Sequence, residues 1–143
     1  MGSRHVALIR GINVGRAKRV AMADLRALME SLGYGDVRTL LNSGNIVFTA
    51  GREGPDRIRA RIERTMAARL GVSARVTVLT AADFSTVVRE NALREVADDP
   101  ARLLVAFLSD PSGRVRLKPL TREDWKPEAL ALGSRAAYLW CPA

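Results

Sequence analysis

The chain has 143 residues, with 23 Lys and Arg against 15 Asp and Glu, a formal net charge of +8, one His and one Cys. A hydrophobic fraction of 48% with 27% charged residues excludes a wholly disordered chain, and no run of about 18 uncharged apolar residues is present to span a membrane. The lone Cys141 excludes an internal disulfide framework and points to a reducing cytoplasm, while one His and one Cys remove most metal sites and His-based triads.

The N-terminus MGSRHVALIRG carries no signal-peptide pattern, and Val6–Ile9 reads as a short buried strand ended by Arg10-Gly11. A loop runs to about Ala21. Met22, Leu25, Leu28, Met29 and Leu32 then recur at helical spacing, and Gly33 supplies the stop. Val37, Thr39 and Leu41 alternate as a strand. Asn42-Ser43-Gly44-Asn45 forms a tight turn into a second alternating run, Ile46 and Phe48, which is a hairpin signal. Pro55 suits a first helical turn, and Ile58, Ile62, Met66 and Leu70 lie four apart before Gly71. Val76 and Val78 mark a fourth strand.

The order β-α-β-β-α-β, complete by about Leu79, is the split βαβ or ferredoxin-like pattern. The second half is less regular. Thr80 and Asp83 form a weak capping box for a short helix with Phe84, Val87 and Val88. Arg102–Leu108 reads as a strand, the segment to Pro127 is too broken for a long helix, and Ala129–Leu132 pairs with Ala136–Trp140 around Gly133-Ser134. The expected fold is therefore α+β, with tandem ferredoxin-like units: a complete one over residues 1–79 and a partial one over 80–143, packed on the first. A sheet without its second helix leaves apolar area open. It needs a partner, the first unit, or more chain to cover it.

The charge is unevenly spread. Twenty of the basic residues are Arg and three are Lys (Lys18, Lys118, Lys126), a skew that base composition alone can produce. The informative concentration is Arg4, Arg10, Arg16, Lys18 and Arg19 among the first twenty residues, with no acid between them.

The blocks ALIRGINVG (Ala7–Gly15), MADLRALMESLGY (Met22–Tyr34) and LNSGNIVF (Leu41–Phe48), with weaker similarity through VAFLSDP and AYLWCPA, resemble a bacterial family known as domain of unknown function 1697. That resemblance implies a pair of ferredoxin-like repeats and no established activity. It also implies a Gly and a Lys-Asn-Lys run where Arg16-Ala17-Lys18-Arg19 stands here. Beyond Cys141-Pro142 it implies a basic segment and a final helix, so the chain is expected to be shorter than its relatives.

A split βαβ unit brings the end of its first strand and the turn between its second and third strands to one edge. This gathers Arg10, Gly11, Asn13, Lys18 and Arg19 with Asn42, Ser43 and Asn45 into a candidate ligand-binding edge loop. Accessible glycine N–H groups and the start of the first helix suit a phosphate or carboxylate there. The same residues equally suit purely structural roles in a loop and a hairpin turn. No P-loop and no GxGxxG pattern is present.

Arg57, Arg61 and Arg64 read as a solvated stripe. His5, Trp125 and Trp140 read as packing residues, and Cys141 has no visible activation. The leading expectation is a cytoplasmic binding or interaction module for an anionic small molecule or nucleic acid. It takes no cofactor or metal and has no membrane partner. The alternatives are an enzyme on a small phosphorylated or carboxylated substrate, with catalytic residues unknown, and a structural homo-oligomer such as a homodimer.

Overall fold

The computed structural model describes residues 2–13, 15, 19–41, 44–108 and 110–142. The fold is α+β, with two antiparallel sheets in two compact units, Met1–Phe84 and Ser85–Ala143.

In the first unit the elements run β1 (Ser3–Arg10), α1 (Met22–Ser31), β2 (Gly35–Leu40), β3 (Asn45–Ala50), α2 (Pro55–Thr65) and β4 (Arg75–Thr80). The strand order is β2-β3-β1-β4, with every neighbouring pair antiparallel. One face of the sheet buries His5, Ala7 and Ile9 of β1, Val37 of β2, Ile46 and Phe48 of β3, and Val76 and Val78 of β4. The helices meet it with the residues their spacing put on one face: Leu25, Leu28 and Met29 of α1, and Ile58 and Ile62 of α2.

Helix ends follow sequence chemistry. Gly33 adopts φ +92° after α1, donating its N–H to the Glu30 carbonyl while Tyr34 donates to Met29, a Schellman closure that a Cβ would strain. Past Thr65 the chain widens into a π-helical turn, Met66–Leu70, and stops at Gly71 with φ +64°. Met66 is thereby still buried in the same core.

Two local expectations differ, for Leu41 and for Arg61. Leu41 is not a strand residue: it sits at φ +61° and is 81% exposed, so the β2 alternation ends at Thr39. β2 also carries a register irregularity between Gly35 and Arg38, with Asp36 at φ +45° and bonded to Arg4. Arg61 is not part of a solvated stripe. It lies over the Tyr34 ring, pairs with Glu53 at 2.5 Å and donates to the Leu32 carbonyl at 3.0 Å. It therefore fastens α2 to the end of α1.

The second unit has α3 (Ala81–Arg89, which begins in the first), β5 (Leu103–Phe107), α4 (Pro111–Leu117), β6 (Ala129–Leu132) and β7 (Ala136–Trp140), with strand order β5-β7-β6. Thr80 accepts from the Asp83 N–H, so the capping residue read from the sequence does cap α3. Val87 and Leu93 pack with Ala136, Tyr138 and Trp140 in a second core. The Tyr138 hydroxyl donates to the Val87 carbonyl, and Glu90 accepts from both the N–H and the hydroxyl of Ser134. The segment expected to be broken contains the seven-residue α4 and a 3-10 turn, Lys118–Arg122. Among the described residues no helix is long and apolar enough to cross a membrane.

Candidate functional site

β1 ends at one end of the first sheet, where β4 begins and where β3 leaves the hairpin turn. Leu8 lies opposite Asn45, Ile9 opposite Val76, and Arg10 opposite Arg75. The Ile9 N–H donates to the Gly44 carbonyl at 3.0 Å, which ties the hairpin turn to the β1 end. Gly44 is buried at φ +91°, and a Cβ there would lie 2.9 Å from the Ile9 Cβ. The juxtaposition of the two sequence blocks thus rests on a backbone contact that admits glycine alone.

The expected site residues separate into different roles. Arg10 is exposed at the tip of β1, and Gly11 beside it is exposed at φ +81° with open space around it. Arg19 is exposed and donates to the Asn13 carbonyl at 2.8 Å. Asn13 turns its amide inward. Its Nδ2 donates to the Val20 carbonyl at 2.8 Å, and its Oδ1 accepts from the Val20 N–H at 2.7 Å. It is the clasp of the β1–α1 loop, holding Ile12 and Val20 buried on the core side. Asn45 is half-buried at the start of β3. Lys18, Asn42 and Ser43 lie outside the described residues.

Two residues at this end were missed by sequence reasoning. Arg75 sits across from Arg10 on the neighbouring strand, and neither has an acidic partner among the described residues. Like charges opposite one another on adjacent strands repel. Antiparallel register is the signal that would have found the pair, but it is visible only once β1 and β4 are known to be neighbours. The second is Leu41, an exposed apolar residue beside the hairpin turn, with Leu40 also exposed. Glu63 reaches this end of β4 by accepting from the Val76 N–H at 2.9 Å, but Arg59 pairs with it at 3.3 Å. Among the described residues, the exposed part of this end is therefore cationic, with an apolar shoulder.

The remaining candidates are structural. His5 is 2% exposed, stacks on Phe48 with ring centroids 5.7 Å apart, and points Nδ1 at the Ser3 carbonyl. Burial pushes the Tyr34 hydroxyl pKa up, and burial raises that of Tyr138 as well. Hydrogen bonds from Ser134 hold the Glu90 carboxyl below the usual range, and those from Ser112 do the same for Asp110. Both carboxylates lie in the second unit, away from any shared cluster of metal ligands, and no group of three such ligands occurs among the described residues. The second unit also holds an apolar cavity of about 410 Å3, lined by residues including Leu117, Leu120, Trp125, Leu130, Leu139 and Cys141.

The family model described as Protein of unknown function (DUF1697) matches residues 2–138. Among solved structures, the chain is similar to the conserved bacterial protein SP0830 from Streptococcus pneumoniae. The two are 27% identical, the match covers 98% of this chain and 77% of that one, and the TM-score is 0.79. No curated protein matches.

Proposed function

The chain belongs to the DUF1697 family, and we propose that it is a binding module whose cationic sheet end, at the close of β1, holds a phosphate-bearing anion. The observation that carries this reading is the Arg10–Arg75 pair, two exposed arginines in register on adjacent strands, neither in an ion pair with an acid among the described residues. Such a pair is stabilised when an anion stands between its members. Arg19 is exposed, Gly11 has open space around it, and the Asn13–Val20 hydrogen bonds join the two ends of the loop. Lys18, Asn42, Ser43 and Asn45 complete the proposed lining. The finer fold reading is a ferredoxin-like unit over 1–79 followed by a partial one over 80–143. Its support is the β-α-β-β-α-β order and the β2-β3-β1-β4 arrangement of the first sheet.

An enzymatic reading needs a carboxylate or other acid–base group poised at the anion, and Glu63 is already engaged by Arg59 and the Val76 N–H. The binding reading therefore stands ahead of it. The test is fluorescence anisotropy of a labelled single-stranded oligonucleotide, used as a generic phosphate ligand, across a salt series. Arg10→Ala with Arg75→Ala is expected to lower the slope of log K against log salt by about 1.4, the share of two phosphate contacts on a single strand. Arg116→Ala with Arg122→Ala, two exposed arginines of the second unit, serves as a control for net charge. Absence of binding at low salt, or an equal loss in the control, overturns the proposal.

A further inference from the structure

The sheet of the second unit is apolar on both faces. Ala136, Tyr138 and Trp140 of β7 pack with Val87 and Leu93 in the second core. Ala137 and Leu139 alternate with them and so turn to the other face, where Ala137 lies opposite Ala106 of β5 and Leu139 opposite Leu130 of β6. These residues bound the cavity of about 410 Å3 on one side, and Leu117, Leu120 and Trp125 bound it on the other. The Trp125 indole N–H donates to the Leu120 carbonyl at 2.8 Å, which satisfies the polar atom of that ring. The cavity is between two and three times the size of the roughly 150 Å3 apolar cavity that takes up benzene, so an alkyl chain of about ten carbons fits within it. Glu128 is the only charged residue among those lining it. It is exposed, and it forms no ion pair among the described residues.

We propose that this cavity binds a primary alkylamine, with the chain among the apolar residues and the ammonium at the Glu128 carboxylate. Burial of the chain supplies the affinity, because the walls offer it contact and almost no polar competition. The single carboxylate supplies the orientation and selects a cationic head over an anionic one. Being exposed, Glu128 stands where the cavity meets solvent, so the ammonium keeps part of its hydration while the chain loses contact with water. The proposal is independent of the anion-binding end, which lies in the first unit.

Titration of the full chain with alkylamines, read by tryptophan emission, tests it, because Trp125 and Trp140 are the two tryptophans and both line the cavity. Decylamine is expected to give a saturable change. Affinity should rise about fourfold per methylene from hexylamine to decylamine, the equivalent of about 0.8 kcal/mol for each buried CH2. Ala137→Leu and Ala106→Leu each take up cavity space and should weaken decylamine by about tenfold, circular dichroism verifying the fold. Ala106 is exposed, so its substitution keeps the test in force should Ala137→Leu not fold. Glu128→Gln should weaken decylamine by about two- to fivefold, the range of an exposed ion pair, and leave 1-decanol unchanged. Decanoate should bind more weakly than either. No saturable change with decylamine overturns the proposal, as does decanoate binding as tightly as decylamine, or binding that the folded cavity-filling variants leave unchanged. Arg10→Ala with Arg75→Ala should not alter these titrations, which separates their outcome from that of the oligonucleotide.

Discussion

Asn13 holds Val20 by both of its backbone groups, accepting from the N–H at 2.7 Å and donating to the C=O at 2.8 Å. One side chain thereby joins residues at the two ends of the connection between β1 and α1, and it does so from a left-handed backbone, φ +55°. Asn tolerates that conformation better than most residues, so two explanations compete for its presence: the backbone and the hydrogen bonds. Asn13→Gly separates them, because glycine keeps the conformation and loses the clasp. The hydrogen bonds to the half-buried loop should dominate, giving a loss of about 1–3 kcal/mol by urea denaturation for Asn13→Gly and for Asn13→Ala. A neutral Gly variant would assign the residue to conformation alone.

The turn glycines should differ in cost according to their surroundings. Gly33 and Gly44 have nearly the same φ, +92° and +91°, but Gly33 faces open space while Gly44 faces Ile9 and Ile12. Gly33→Ala is expected to cost about 1–2 kcal/mol from the left-handed backbone alone. Gly44→Ala adds overlap with Ile9 and should exceed about 3 kcal/mol, or prevent folding of the first unit. Equal thermal shifts in the two variants would contradict the close approach of the hairpin turn to β1.

Arg61 should matter far more than its neighbours on α2. It is 30% exposed and engages Glu53, the Leu32 carbonyl and the Tyr34 ring, whereas Arg57 is mostly solvated and reaches Glu53 at 3.5 Å. Arg61→Ala is expected to cost about 1–3 kcal/mol, since it leaves the part-buried Leu32 carbonyl without this donor and removes the closest partner of the Glu53 carboxylate. Arg57→Ala should cost less than about 0.5 kcal/mol. Comparing the two chemical denaturation midpoints checks this directly.

Stability should decline at both extremes of pH. Tyr34 and Tyr138 have folded pKa values raised by burial, so each favours the folded state fully below the ordinary tyrosine value of 10.0, and that contribution is lost as pH rises through it. Glu90 has its folded pKa lowered by Ser134, so its contribution is present above the ordinary value of 4.5 and is lost as pH falls below it. Ser134→Ala should flatten the acid side of the curve for the second unit, and Tyr34→Phe the alkaline side for the first. Melting temperatures measured from acid to alkaline pH decide both.

Much of the fold is legible in the sequence. The four-residue spacing of Ile58, Ile62 and Met66, the glycine stops at Gly33 and Gly71, and the alternation through Ile46 and Phe48 each encode a local geometry with one buried face. Those faces are the ones found in the core. The site was legible only in part. The convergence of the β1 end with the hairpin turn follows from element order, but the division of labour within it does not. Asn13 suited either a ligand or the backbone of its own loop, and its amide bonds the Val20 N–H and C=O. Arg61 was placed in a solvent stripe and proves to be a fastening. A polar side chain carries no periodic signal that tells a backbone partner from an external one, so its role depends on what the fold brings near it.

The net charge of +8 and its concentration in the first twenty residues are properties of the sequence alone, as are the β-α-β-β-α-β order and the resemblance to the family. Secondary structure is set by contacts a few residues apart, and those lie within reach of pattern and spacing. Which cations face each other was decided by the tertiary structure. Arg10 and Arg75 are 65 positions apart, and only the pairing of β1 with β4 makes them neighbours. The same holds for β5: its composition is plain in the sequence, but that it ends a sheet depends on which strands pair. Side-chain charge and polarity are local, whereas register and edge position are set by long-range hydrogen bonding between strands.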